Sequence, residues 1–162
     1  MDRQTPAEVQ IRRLGDSGEA EACARMMAAS EPWITLRRDF EAAFAIMCDP
    51  GREVYVAAVD GKVVGFTILI MHGAFVGYVQ SVCVAPAWRN LGLGRHLMAF
   101  AERRILAETP NVFICVSSFN DGARRLYERL GYEVVGELKD YIVAGHSEIL
   151  PRKTIGPLTG FR

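Results

Sequence analysis

Val82-Cys83-Val84-Ala85-Pro86-Ala87-Trp88-Arg89-Asn90-Leu91-Gly92-Leu93-Gly94-Arg95 reads as a strand, a tight turn and the opening of a helix. Pro86 closes the strand, and Gly92 and Gly94 let the main chain turn sharply and be approached closely. Such a turn leaves several backbone N–H groups unpaired at the positive end of a helix dipole, which is a place for an anion. Arg89 and Arg95 flank it and add charge. Alone, the stretch is either a phosphate-binding turn or a glycine turn that only packs a helix on a sheet.

Downstream, Leu93, Leu97, Phe100, Ala101 and Ile105 mark the apolar face of a helix that runs to Glu108, where Pro110 and Asn111 stop it. Val112–Val116 reads as a buried strand. Asn120 is a good N-cap with Asp121 behind it, and Ala123, Leu126, Tyr127 and Leu130 follow at helical spacing up to a C-capping Gly131. Tyr132–Val143 and Glu148–Lys153 read as a closing hairpin around Ala144-Gly145-His146.

Upstream, Gly77–Val84 is a strand, and Glu53–Val59 and Lys62–Met71 form a hairpin around Asp60-Gly61. Val9–Arg13 is a short strand. A helix capped by Asp16 or Ser17 runs to about Ala29, Glu31-Pro32-Trp33 interrupts, and Thr35 caps a second helix through Met47. The single strand–helix–strand crossover demands one parallel pair, Gly77–Val84 beside Val112–Val116, in an otherwise antiparallel sheet. The fold class is α/β (α+β), with a mixed, mostly antiparallel central sheet and about four flanking helices.

The chain has 162 residues, the size of one domain (1–162), and 50% of them are hydrophobic, so a core needs no disulfide or metal staple. Nineteen basic residues balance nineteen acidic ones, which excludes a whole-domain basic footprint for nucleic acid. Cys23, Cys48, Cys83 and Cys115 form no C-x-x-C, so no metal site is expected, and they read as buried thiols of a reducing compartment. The start, Met1 to Gly15, lacks the apolar segment of a signal peptide, and a cytoplasmic location is expected. Val63 to Trp88 contains no charge, yet its glycines and β-branched residues fit buried strands rather than a membrane helix.

The glycine turn lacks the third glycine of a dinucleotide fingerprint, and Phe113 to Val116 offer no carboxylate for a ribose. It also lacks the G-K-[ST] of a nucleotide triphosphate loop. Arg89-x-x-Gly92-x-Gly94 after Val82-x-Val84-x-Pro86 instead resembles the acetyl-CoA signature of the GNAT superfamily of N-acetyltransferases. Asn120-x-x-Ala123-x-x-Leu126-Tyr127-x-x-x-Gly131-Tyr132 is similar to the superfamily's second motif, and both stand in the expected order.

The resemblance implies the GNAT fold, in which the parallel pair is splayed. It implies that the backbones of Val82, Cys83 and Val84 pair with the pantetheine arm, while Arg89 and the amides of Asn90, Leu91, Gly92, Leu93, Gly94 and Arg95 hold the pyrophosphate. It places Asn120 against the arm and Tyr127 near the thioester sulfur. Acetyl-CoA is then a cosubstrate, no metal is needed, and the acceptor is a primary amine of a small molecule or of a protein N-terminus. Direct attack in a ternary complex passes through an oxyanion that a strand N–H near Cys83 polarises. Tyr127 serves as general acid to the leaving thiolate; the other reading of Tyr127 is a core aromatic of its helix stripe.

The general base is open. Some members of the superfamily carry a glutamate where this chain has Tyr78, others where it has Cys115. A water relay, an acceptor amine of low pKa, or a base among Glu31, His72, His146 and Glu148 remain as alternatives. The resemblance also assigns acceptor recognition to the segment between the first two helices (Glu31, Trp33) and to the last hairpin (Tyr141, His146). The rival function is a CoA-binding or regulatory domain with little catalysis, and a homodimer through the last hairpin is left open.

Overall fold

The computed structural model describes residues 8–162; Met1–Ala7, the front of the stretch read as lacking a signal peptide, lies outside the described residues. The elements are β1 (Gln10–Arg13), α1 (Ser17–Ala28), α2 (Phe40–Met47), β2 (Glu53–Val59), β3 (Lys62–Ile70) and β4 (Tyr78–Val84). They continue as α3 (Leu93–Leu106), β5 (Asn111–Ile114), β6 (Val116–Ser117), α4 (Asp121–Arg129), β7 (Glu133–Leu138) and β8 (Glu148–Thr154). The charge-free stretch after Lys62 is β3 and β4, and no helix of the described residues is long and apolar enough to cross a membrane.

One sheet joins all the strands. β1 to β4 are antiparallel neighbours, and β4 pairs in parallel with β5. β8 then lies between the interrupted strand β5/β6 on one edge and β7 on the other. The mixed sheet and its one parallel pair are therefore as expected.

The β2 residues Val54 to Val59 are all buried, because helices cover both faces of the sheet. On one face α1 and α2 bring Ala20, Cys23, Ala24, Met27, Ala43 and Met47 against Val54, Val56, Phe66 and Ile68. On the other, Met98, Ala101 and Ile105 of α3 meet Tyr55, Leu69, Val79 and Val112. Each such large side chain contributes about 1.5–3 kcal/mol of burial. Gly65 lets α3 lie close, since a Cβ there would come within 3.3 Å of a Leu97 methyl and 3.4 Å of a Leu93 methyl.

Four details depart from the sequence reading. The second helix begins at Phe40, capped by Asp39, whose carboxylate accepts the Ala42 N–H at 2.9 Å. Thr35 instead donates its own N–H and hydroxyl to Glu31, and residues 31–37 form turns. The last hairpin is shorter in strand and longer in loop: β7 ends at Leu138, and the Asp140 carboxylate accepts the Gly145 N–H at 2.6 Å to shape the connection. The predicted strand Val112–Val116 is broken at Cys115, and the four thiols are not all buried: Cys48 is exposed and Cys115 half-buried.

Candidate active site

The parallel pair is joined at only two positions, Tyr78 with Phe113 and Val79 with Ile114. Beyond them β4 continues to Val84, while the other strand breaks at Cys115 and turns its Val116 and Ser117 to β8. The edge of β4 from Gln80 onward has no strand beside it on that side, and a groove opens there. Gly77 holds the closed end of the wedge. It sits at φ +89°, and a Cβ would fall 2.5 Å from the Asn111 carbonyl oxygen.

The groove runs along three connected cavities. The first, about 650 Å³, is lined by Val84, Trp88, Arg89, Asn90, Gly92, Leu93, Gly94 and Arg95 with Gly122, Leu126 and Arg129 of the α4 side. The second, a passage of about 250 Å³, is lined by Val82, Cys83, Val84, Arg89, Gly94, Gly122, Ala123 and Tyr127, among others. The third, about 640 Å³, is bounded by Trp33, Arg38, Tyr78, Ser81, Cys115, Ser117, Asn120, Tyr127, Tyr141 and Glu148, among others. Shared lining residues make these one continuous track.

At the first cavity the N-terminus of α3 is bare. Gly92 caps it in the left-handed conformation (φ 84°), no side chain of the described residues accepts its N–H groups, and no acidic residue occupies its first turn. The helices α1, α2 and α4 are each capped by a side-chain oxygen, from Asp16, Asp39 and Asn120. A helix end with free donors and arginines on both sides suits an anion. Arg89 itself is turned inward, donating to the Val84 carbonyl at 3.1 Å and to Ser30 at 3.2 Å. Leu91 is 69% exposed and lines none of the three cavities. The other residues read as donor-binding all lie along the track.

Tyr127 stands where the passage meets the third cavity, 7% exposed and with its ring edge-on to Tyr132 at 5.9 Å. Its hydroxyl has no hydrogen-bond partner among the described residues, and burial pushes its pKa well above the ordinary range, so it stays a neutral donor. The buried Cys83 thiol is pushed up to about 11 by desolvation, and Cys115 is raised for the same reason. Neither is a ready thiolate, consistent with a packing role.

Of the four candidate bases, the structure brings only Glu148 inside. Its side chain is buried on β8, and one oxygen accepts the Ser117 hydroxyl at 2.7 Å. Burial raises the carboxyl's pKa more than the Ser117 hydrogen bond and the nearby Arg38 lower it. Glu31 lies exposed at the rim, engaged with Thr35. His72 contacts the Gly51 carbonyl at 2.9 Å, and His146 packs edge-on to Phe119 at 4.8 Å; neither lines the third cavity. Tyr141 is exposed at the cavity rim, and Trp33 is buried in its wall. Arg38 and Ser117 went unremarked in the sequence, because Arg37-Arg38 looks like a solvated pair and Ser117-Ser118 like a loop.

The acetyltransferase (GNAT) family profile matches residues 20–132. An N-alpha-acetyltransferase of Sulfurisphaera tokodaii is 30% identical over 127 residues, covering 70% of each chain. A mycothiol acetyltransferase of a Mycobacterium species is 37% identical over 80 residues, which are 46% of this chain but 27% of that protein. Among solved structures, an aminoglycoside 6'-N-acetyltransferase complexed with coenzyme A aligns with a TM-score of 0.75 at 17% identity, covering 91% of this chain and 98% of that one. The ribosomal-protein-S18-alanine N-acetyltransferase of Escherichia coli aligns at 0.73, also with 17% identity, over 94% and 97%. These two likenesses are of fold.

Proposed function

The chain belongs to the acetyltransferase (GNAT) family, and we propose that it transfers the acetyl group of acetyl-CoA to a primary amine by direct attack. The observation that carries this reading is the track itself. It leads from a bare helix N-terminus, along an unpaired strand edge, to an unpartnered tyrosine hydroxyl facing a cavity with a buried carboxylate.

When bound, acetyl-CoA supplies an activated acetyl thioester. The amides at Leu93, Gly94 and Arg95 fit its pyrophosphate, and the free edge at Val82 to Val84 fits its amide-bearing arm, with Asn120 facing the same gap. An N–H of that edge near Cys83 would polarise the acetyl carbonyl. Glu148 takes a proton from the acceptor ammonium, which makes the amine a nucleophile. Its burial favours this, because a carboxylate of raised pKa is a stronger base. Tyr127 gives a proton or a strong hydrogen bond to the departing sulfur. A relative named for N-alpha-amines and a fold neighbour named for an aminoglycoside both support a primary amine, of a protein N-terminus or of a small molecule. The buried free thiols Cys23 and Cys83 fit a reducing, cytoplasmic setting.

The test is thiol release and acetyl-amine formation from acetyl-CoA over a panel of amines, for the wild type and Tyr127→Phe. Wild-type turnover is expected, with kcat lowered roughly 100-fold in the variant. Unchanged turnover of Tyr127→Phe at saturating acetyl-CoA removes the hydroxyl from this role. CoA binding without thiol release for any amine would favour a regulatory, non-catalytic domain.

A further inference from the structure

Arg38 and Arg89 line the track and Arg52 stands beside it against Gln80, and two of these three are engaged. Arg52 is paired with Asp49 and donates to Gln80 of the cavity wall at 2.6 Å. Arg89 is spent on the Val84 carbonyl and Ser30. Arg38 is different. It lines the third cavity and is half-buried, yet its guanidinium has neither an ion pair nor a hydrogen bond among the described residues. The turn before α2 puts it there: Arg37 takes a left-handed conformation (φ 57°), and the Arg38 N–H donates to the Trp33 carbonyl at 2.9 Å. Asp39, the nearest carboxylate in sequence, is occupied as the α2 cap.

A guanidinium removed from water without an anion is costly to the folded chain. Burial accordingly lowers its pKa, and Arg52 adds to this, while Tyr78 and Glu148 oppose it. Its surroundings are the Tyr78 phenol, Arg52 and the Glu148 carboxylate; Cys115, Tyr141 and Ser117 complete the wall. Glu148 lies near Arg38 but forms no ion pair with it, so the cavity presents one separated negative and one separated positive group.

Building on the reading of this cavity as the acceptor site, we propose that the acceptor carries its own carboxylate, bound by Arg38 while its amine meets Glu148. Such a molecule is a primary amine with an acidic group a few bonds away, either a free acidic amino acid or a peptide whose first residue is acidic. The donor set disfavours polycationic amines, which would bring further positive charge to a site that already holds an unpaired guanidinium.

The experiment measures kcat/KM for four acceptor types: free glutamate and aspartate, N-terminal Glu or Asp peptide amides, their Gln and Asn counterparts as C-terminal amides that carry no carboxylate, and a polyamine. The wild type is expected to favour the acidic member of a matched pair roughly 10- to 100-fold, the worth of a hydrogen bond to a charged group. Arg38→Gln is expected to abolish that preference through KM, Arg38→Lys to restore part of it, and Arg38→Glu to reverse it toward the polyamine. CoA affinity by calorimetry, expected unchanged, shows that each variant is folded. Preference for the free amino acids or for the peptides identifies the source, and either supports the proposal. Equal use of acidic and neutral partners by the wild type, or a preference that survives Arg38→Gln, would overturn it while leaving the acetyltransferase reading intact. Absence of thiol release with every amine would overturn that reading as well.

Discussion

Glu148 carries its carboxylate into the cavity wall, where among the described residues Ser117 is its one hydrogen-bond donor. Desolvation raises its pKa above the ordinary 4.5, so the folded chain holds that proton more tightly than the unfolded one. The stability this gives is complete below about pH 4.5 and is lost as pH rises through the folded value. At neutral pH the ionised carboxylate is therefore a net cost, which catalysis would explain. Glu148→Gln is expected to lower kcat/KM roughly 100-fold and to erase the acid limb of its pH profile. By scanning calorimetry the same variant should melt at or above the wild type at pH 7, with the difference closing near pH 4. A lower midpoint at pH 7 would mean that the charge is structural. In sequence Glu148 is one candidate base among four, and nothing in Ser147-Glu148-Ile149-Leu150 singles it out for the proposed role, since a strand carrying one carboxylate normally turns it to water. By contrast the position of Tyr127 on the track was legible, because it stands within a two-part motif as well as in an apolar stripe.

The helices differ at their starts, and the difference separates those that serve the fold from the one proposed to serve a ligand. Asp16, Asp39 and Asn120 close α1, α2 and α4 with a side-chain oxygen, whereas α3 begins uncapped at Gly92. Arg95→Glu places an acid in that first turn, on an exposed position. Complementing the dipole should stabilise the chain by about 0.3–1 kcal/mol. The same change should weaken CoA binding at least roughly tenfold, through repulsion at the proposed diphosphate site. Denaturant titration and calorimetry together read the two opposite signs; parallel changes would count against a ligand role for this helix end. The sequence announces α3 and α4 clearly, because glycine and asparagine there leave few alternatives. It misplaces α2, because Thr35 and Asp39 are both acceptable caps and only the Glu31 contact to Thr35 decides between them. It overextends β7, because Tyr141 and Ile142 look like strand residues and their loop is set by a contact from Asp140 to Gly145.

The whole sheet is two antiparallel halves held by a parallel seam two residue pairs long. Gly77 enters that seam at positive φ with no room for a side chain. Gly77→Ala is expected to cost roughly 2–4 kcal/mol from overpacking and backbone strain, measured by urea unfolding. Near wild-type stability would show that the seam yields easily. The order of strands and helices, and hence the parallel pair, followed from one crossover. The length of the seam did not, since the break at Cys115 reflects pairing with β8, a partner far along the chain. That short seam has a further consequence. On the proposed reading, the track's two outer cavities with Tyr127 between them give the two reactants separate doors. Neither would then have to depart before the other enters, and the spent carrier and the modified amine would leave without queuing behind one another.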